Sequence, residues 1–118
     1  MAQKVLITGG RNYDNLTFLF RMLDACHGKR GISMIIQGDA QGADALSKQW
    51  AKSRQLPYLS CPAEWNKLGK AAGMRRNVDM LAYEPDLVIA FAGGTGTAGM
   101  IREALKAGVE VIDLRERE

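Results

Sequence analysis

Five short apolar runs, each divided from the next by a stretch of helical periodicity, constrain this chain more than any other feature. The runs are Val5-Leu6-Ile7, Ile32 to Ile36, Tyr58-Leu59-Ser60-Cys61, Leu87-Val88-Ile89-Ala90-Phe91 and Val109-Glu110-Val111-Ile112. Short runs of this kind, bounded by glycine-bearing turns, fit buried strands of a parallel sheet. Leu16, Leu19, Phe20 and Leu23 predict an amphipathic helix over about residues 15–27, with Asp14 or Asn15 as N-cap. Ala43, Leu46, Trp50 and Ala51 mark a second helix, closed before Pro57, and Ala71 through Tyr83 reads as a third that stops before Pro85. A fourth carries Met100, Ile101, Ala104 and Leu105 and ends at Gly108, the usual residue just past a helix end. Strict alternation with short connections implies right-handed βαβ crossovers and a sheet covered on both faces. The expected fold is therefore α/β and Rossmann-like: three layers around a five-stranded parallel sheet of order 3-2-1-4-5.

A chain of 118 residues is expected to form one domain, spanning 1–118, without linker or repeat. Its apolar share of 47% is enough to build a core without staples. Cys26 and Cys61 lie in no metal-type spacing and read as a reduced pair, and no His, Cys and carboxylate grouping points to a metal. The N-terminal apolar run is too short for a signal peptide and no segment approaches a membrane span, so a cytoplasmic location is expected. Trp50 falls on an apolar helix stripe and is read as core, and His27 is placed at a helix end, near the carbonyls and the dipole.

Three glycine-bearing loops follow strands: Gly9-Gly10-Arg11, then Gly38-Asp39-Ala40-Gln41-Gly42 with Asp44 just beyond, then Gly93-Gly94-Thr95-Gly96-Thr97. In a parallel sheet all three lie at the carboxyl edge. With order 3-2-1-4-5, the first and fourth strands flank the switch point where open α/β sheets bind ligands. Helix N-termini there offer unpaired N–H groups to a phosphate, and glycine lets the backbone approach it. The loops match neither the Walker pattern nor the dinucleotide fingerprint. The net charge of +3 is too small for a broad nucleic-acid face, but Lys70, Arg75 and Arg76 cluster beside a glycine-bearing stretch, which points to an anionic ligand. The segment from Trp65 to Asn77 has two readings. As a lid, Trp65 stacks on a base while Lys70 and one arginine, Arg76, reach phosphate or ribose beside Asn77. As plain structure, Trp65 is core under a loop and the basic residues are solvated.

Gly9-Gly10-Arg11, Gly38 to Asp44, Pro62-Ala63-Glu64-Trp65, Gly69-Lys70-Ala71-Ala72-Gly73, Arg76-Asn77 and Phe91 to Thr97 together resemble the YspA/YpsA-related branch of the SLOG superfamily, over almost the whole chain and in the same order. The resemblance implies a nucleotide-derived ligand, in bacterial or phage conflict or signalling. It is also similar to the Lonely Guy phosphoribohydrolases, whose signature is Pro-Gly-Gly-x-Gly-Thr-x-x-Glu. Gly93, Gly94, Gly96 and Thr97 match that signature, Ala92 stands for the proline and Met100 for the catalytic glutamate. Arg76 matches their upstream arginine and Asn77 replaces a lysine. Loss of the carboxylate implies binding without hydrolysis, with Met100 expected to face the pocket and no catalytic residue assignable.

The reading that results is a sensor, carrier or sequestering module for a phosphate-bearing nucleotide or nucleotide-derived ligand. Its expected ligand-binding residues are Gly9, Gly10, Arg11, Gly38, Asp39, Gly42, Asp44, Trp65, Lys70, Arg76, Asn77, Gly93, Gly94, Thr95, Gly96 and Thr97. No resident cofactor, membrane or nucleic-acid partner is expected, and the dimeric Lonely Guy relatives imply a homo-oligomer. The alternative is a nucleoside-phosphate N-glycosidase, whose acid or base would come from Asp39, Asp44, Glu64, Asp79 or Glu103. DNA binding, as in the related DNA-processing protein A, ranks third.

Overall fold

A computed structural model describes residues 2–63 and 72–117. Its strands are β1 (Gln3–Thr8), β2 (Ile32–Gln37), β3 (Tyr58–Ser60), β4 (Leu87–Ala90) and β5 (Glu110–Asp113). All neighbouring pairs are parallel, in the order β3-β2-β1-β4-β5 that the alternation predicts. The helices are α1 (Leu16–Arg30), α2 (Ala43–Ser53), α3 (Ala72–Leu81) and α4 (Thr95–Lys106).

The period-2 alternation of side chains splits the central strands between two cores. Val5, Ile7, Ile35, Leu87 and Ile89 point to one face, where they meet Leu19 and Leu23 of α1 and Trp50 and Ala51 of α2. Leu6, Ile36 and Val88 point to the other, against Met80 of α3 and Met100 and Ala104 of α4. Every residue of β4 is therefore buried, which is why it reads as the most continuous apolar run. Trp50 is fully buried, as its helix stripe predicts, and its indole N–H donates to Asp24 Oδ1 at 2.9 Å.

Two boundaries differ from expectation. Helix α1 runs on to Arg30, past Gly28, because Gly31 rather than Gly28 takes the positive φ (77°) that closes it, its N–H bonding to the His27 carbonyl at 2.9 Å. His27 therefore sits inside the last turn, where its Nδ1 accepts from the Ile32 N–H at 2.9 Å. At the other end Asn15, one of the two expected caps, accepts the Phe18 N–H on its side-chain oxygen at 3.1 Å. Helix α3 ends at Leu81, and Glu84, at φ 56°, turns the chain before Pro85.

Candidate ligand-binding site at the carboxyl edge of the sheet

β1 and β4 are neighbours, yet the helix after β1 packs on one face of the sheet and the helix after β4 on the other. A crevice opens between their carboxyl ends. Three glycine-bearing loops close around it and lock onto one another. The Gly10 N–H donates to the Ala92 carbonyl at 2.8 Å, and the Gly10 carbonyl accepts from Tyr13 and Ala43, each at 3.2 Å. A Cβ on Gly9 would lie 2.5 Å from that of Ala43. One on Gly42 would overlap the Gly10 carbonyl oxygen, and one on Gly93 would overlap the Thr97 hydroxyl. Gly42 also holds φ 74°, so side-chain bulk and backbone conformation both demand glycine there.

A polar chain ties these loops to α3. The Arg76 Nη1 donates to the Gly38 carbonyl at 2.9 Å and its Nε to Asn77 Oδ1 at 3.3 Å. Asn77 is buried and passes the connection on through Nδ2 to the Gly96 carbonyl at 3.4 Å. On the far side of Gly38, Asp44 Oδ2 accepts the N–H groups of Gly38 (3.2 Å) and Ala40 (3.3 Å). Burial pushes the Asp44 carboxyl above its usual range, while the Arg76 guanidinium and the two N–H groups pull it back.

The resulting hollow has a volume of about 920 Å³. Among the described residues its wall includes Gly9, Gly10, Arg11, Asp44, Arg76, Asn77, Gly94, Thr95, Gly96 and Thr97, all expected from the sequence. A smaller hollow of about 270 Å³ adjoins these loops and includes Gly38 and Asp39. Gly42 and Gly93 line neither and serve the loop contacts above. Trp65 and Lys70, with Glu64, lie outside the described residues. Arg75, from the expected basic cluster, pairs with Asp79 at 3.1 Å on the solvent side of α3, which leaves Arg76 as the arginine of that pair in the site.

The three helix N-termini nearby differ. Asn15 caps α1, and Asp44 places a carboxylate in the first turn of α2. α4 has neither: its N-cap is Gly94, which has no side chain to bond, and its first turn holds no acid. A Cβ on Gly94 or Gly96 would meet nothing within 4 Å. The positive end of α4 thus opens into the larger hollow, where an anion complements it.

Sequence reasoning passed over Arg102 and Lys106, which line the same hollow with Glu103. The signal was available: Gly99, Arg102, Glu103 and Lys106 follow one helical stripe, and such stripes are ordinarily solvated surface. Lys106 lies 3.5 Å from Glu103, whose carboxylate is the less exposed partner. Four cationic side chains, Arg11, Arg76, Arg102 and Lys106, face two carboxylates, Asp44 and Glu103, among the described residues of the wall. Met100 corrects an expectation. It does not reach the hollow but is fully buried with Leu6, Ile36 and Val88, because the stripe Met100–Ala104 is the one that α4 turns toward the sheet. Among the described residues no three His, Cys, Asp or Glu side chains gather as a metal would need, and no helix is long and apolar enough to cross a membrane.

Comparison with known proteins agrees with this fold. The chain is 35% identical over 123 residues to the Gene 61 protein of Mycobacterium phage D29, covering 98% of both chains. Its fold is similar to that of a Moco carrier protein from Chlamydomonas reinhardtii, with a TM-score of 0.69, 17% identity, and coverage of 96% of this chain and 76% of that one. Residues 3–68 match the family described as YspA, cpYpsA-related SLOG. The chain belongs to that SLOG family.

Proposed function

We propose that residues 1–118 act as one binding domain for a phosphate-bearing, nucleotide-derived small molecule, held without turnover as a carrier, sensor or sequestering module. The observation that carries this reading is the open N-terminus of α4. Gly94 to Thr97 present backbone N–H groups to a hollow of about 920 Å³ whose wall brings Arg11, Arg76, Arg102 and Lys106 together. That volume lies within the roughly 300–1,000 Å³ of small-molecule pockets. Backbone N–H groups and guanidinium groups suit phosphate oxygens, to which they make charge-assisted bonds. The likeness in fold to a protein named as a Moco carrier supports a carrying role. The phage relative supports action inside an infected bacterial cell. A homo-oligomer, as in the Lonely Guy relatives, is part of the same proposal and is read by light scattering.

A second reading, N-glycosidase activity, rests on Glu103. It is the partly buried carboxylate of the hollow that is not engaged by loop amides, and Lys106 Nζ lies 3.5 Å from it. One experiment separates the two readings. The protein is purified, denatured, and the released small molecules are identified by mass spectrometry, then returned to fresh protein. Recovery of an intact nucleotide derivative that survives incubation supports binding. Appearance of free base supports the glycosidase, and Glu103→Gln should then abolish its release.

A further inference from the structure

The larger hollow continues past the first turn of α4. Between the two helices on that face its wall is formed by Gly73, Met74 and Met80 of α3 and by Gly99, Arg102 and Glu103 of α4. Met74 and Met80 bring thioethers and the two glycines bring no side chain, so this stretch suits the face of a flat ring. The charged groups on its α4 side carry both signs.

Arg102 reaches back over the turn before it: a Cβ on Gly99 would lie 3.5 Å from Arg102 Nη2 and 3.9 Å from Asn77 Nδ2. Side chains on a helix lean toward its N-terminus, which brings this guanidinium toward the phosphate end of the hollow. Glu103 is the next residue and lines the same wall. Its side chain is 26% exposed, Lys106 Nζ stands 3.5 Å from Oε2, and among the described residues Oε1 accepts from no donor. A group that only donates and a group that only accepts are therefore neighbours on one wall. Glu103 follows Gly96 by seven residues on α4. At about 1.5 Å per residue that is about 10 Å along the helix axis. The span is comparable to the reach from a 5′ phosphate to the far edge of the base it carries.

We propose that Arg102 and Glu103 read the base, and that they select guanine. The guanine edge presents the O6 carbonyl beside two N–H donors, at N1 and at the 2-amino group. Arg102 donates to O6, and the Glu103 carboxylate accepts from N1–H and the 2-amino group. Adenine reverses the pattern. Its 6-amino group meets the guanidinium, donor against donor, and its N1 lone pair meets the carboxylate, acceptor against acceptor. Such repulsion against the wrong partner sharpens selection as much as the attraction to the right one. This inference rests on the binding reading above and assigns its base specificity to two residues.

The test is calorimetric titration of the chain with guanosine, inosine and adenosine diphosphates at fixed ionic strength. Inosine differs from guanosine only in lacking the 2-amino group. One bond to a charged acceptor should make guanosine diphosphate bind about tenfold or more tighter than inosine diphosphate. Adenosine diphosphate, which keeps only the phosphate contacts, should bind more weakly than either. Glu103→Ala should erase the gap between the guanosine and inosine forms. Arg102→Ala should weaken those two alike, since both carry O6, and the adenosine form less. Equal affinity for all three, a preference for adenosine, or a guanosine–inosine gap that survives Glu103→Ala overturns the base-reading pair and leaves the phosphate site standing. An equal loss for all three in Arg102→Ala removes Arg102 from that pair and assigns it to the phosphate. Absence of binding by all three overturns the phosphate site and this inference with it.

Discussion

Gly94→Val separates a ligand-binding glycine from a structural one. Gly94 is exposed, its φ is −108°, and a Cβ there would meet nothing within 4 Å. The variant should therefore fold, with stability within about 0.5 kcal/mol of wild type, the usual range for surface changes. Its isopropyl group, however, occupies the mouth of α4 where a phosphate would approach the backbone. A bond from an N–H to a charged oxygen is worth about 1.5–3 kcal/mol, so losing two costs about 3–6 kcal/mol, or on the order of 10²–10⁴-fold in affinity. Gly93→Val is the counterpart. Its Cβ would overlap the Thr97 hydroxyl and lie 2.7 Å from the Gly10 nitrogen. Such overpacking should cost about 1–3 kcal/mol of stability. The assay pairs urea unfolding with calorimetric titration of adenosine diphosphate. If Gly94→Val binds like wild type, or if the two variants lose stability equally, the division of roles among these glycines is wrong.

Three further predictions bear on neighbouring groups. Arg76→Ala should weaken nucleotide binding by about 1.5–3 kcal/mol and, by removing the cation that opposes burial, push the Asp44 carboxyl still higher; carboxyl NMR titration checks the second effect and an unmoved Asp44 contradicts it. Met100→Glu, intended to restore the carboxylate of the Lonely Guy enzymes, should instead destabilise the protein by about 3–5 kcal/mol by placing a charge among Leu6, Ile36 and Val88, the loss shrinking as falling pH neutralises the new group; a stable, base-releasing variant would refute the placement of Met100. The Asp24 carboxyl is held below its usual range by hydrogen bonds from Arg54 and Trp50, so its contribution to stability is present above the ordinary aspartate range and lost as pH falls through the lowered value; Asp24→Asn should flatten that limb of the acid-unfolding profile, and an unchanged profile would show that the group does not contribute.

The sheet was legible because its alternation is clean. Val5 and Ile7 face one core and Leu6 the other, and the same split recurs in β2 and β4, so the central strands are apolar on both faces and read as continuous runs. Helix ends were less legible. The apolar periodicity gives a first helix over about residues 15–27, but the residue that takes the left-handed conformation and closes it is Gly31, where the chain turns into β2. The glycine loops gather at one edge of the sheet, as expected, yet the sequence alone gives no means to divide glycines that admit another loop from those that face open space. That division depends on contacts between residues as distant as Gly10 and Gly42. Arg102 and Lys106 went unnoticed because a polar helix stripe looks the same whether it borders solvent or a hollow. Met100 was misplaced by following the motif of a related enzyme rather than the apolar stripe it shares with Ala104.

The central claim is that a phosphate group seats on the first turn of α4. Amide NMR titration of the ¹⁵N-labelled chain with adenosine diphosphate, with pyrophosphate as a second probe, reports directly on that turn. The account predicts saturable shifts of the Gly94, Thr95, Gly96 and Thr97 amides together with the Arg76 side chain, with both probes and with the same residues affected. Saturable binding that leaves these amides unmoved, or no saturable binding of either probe, would contradict it.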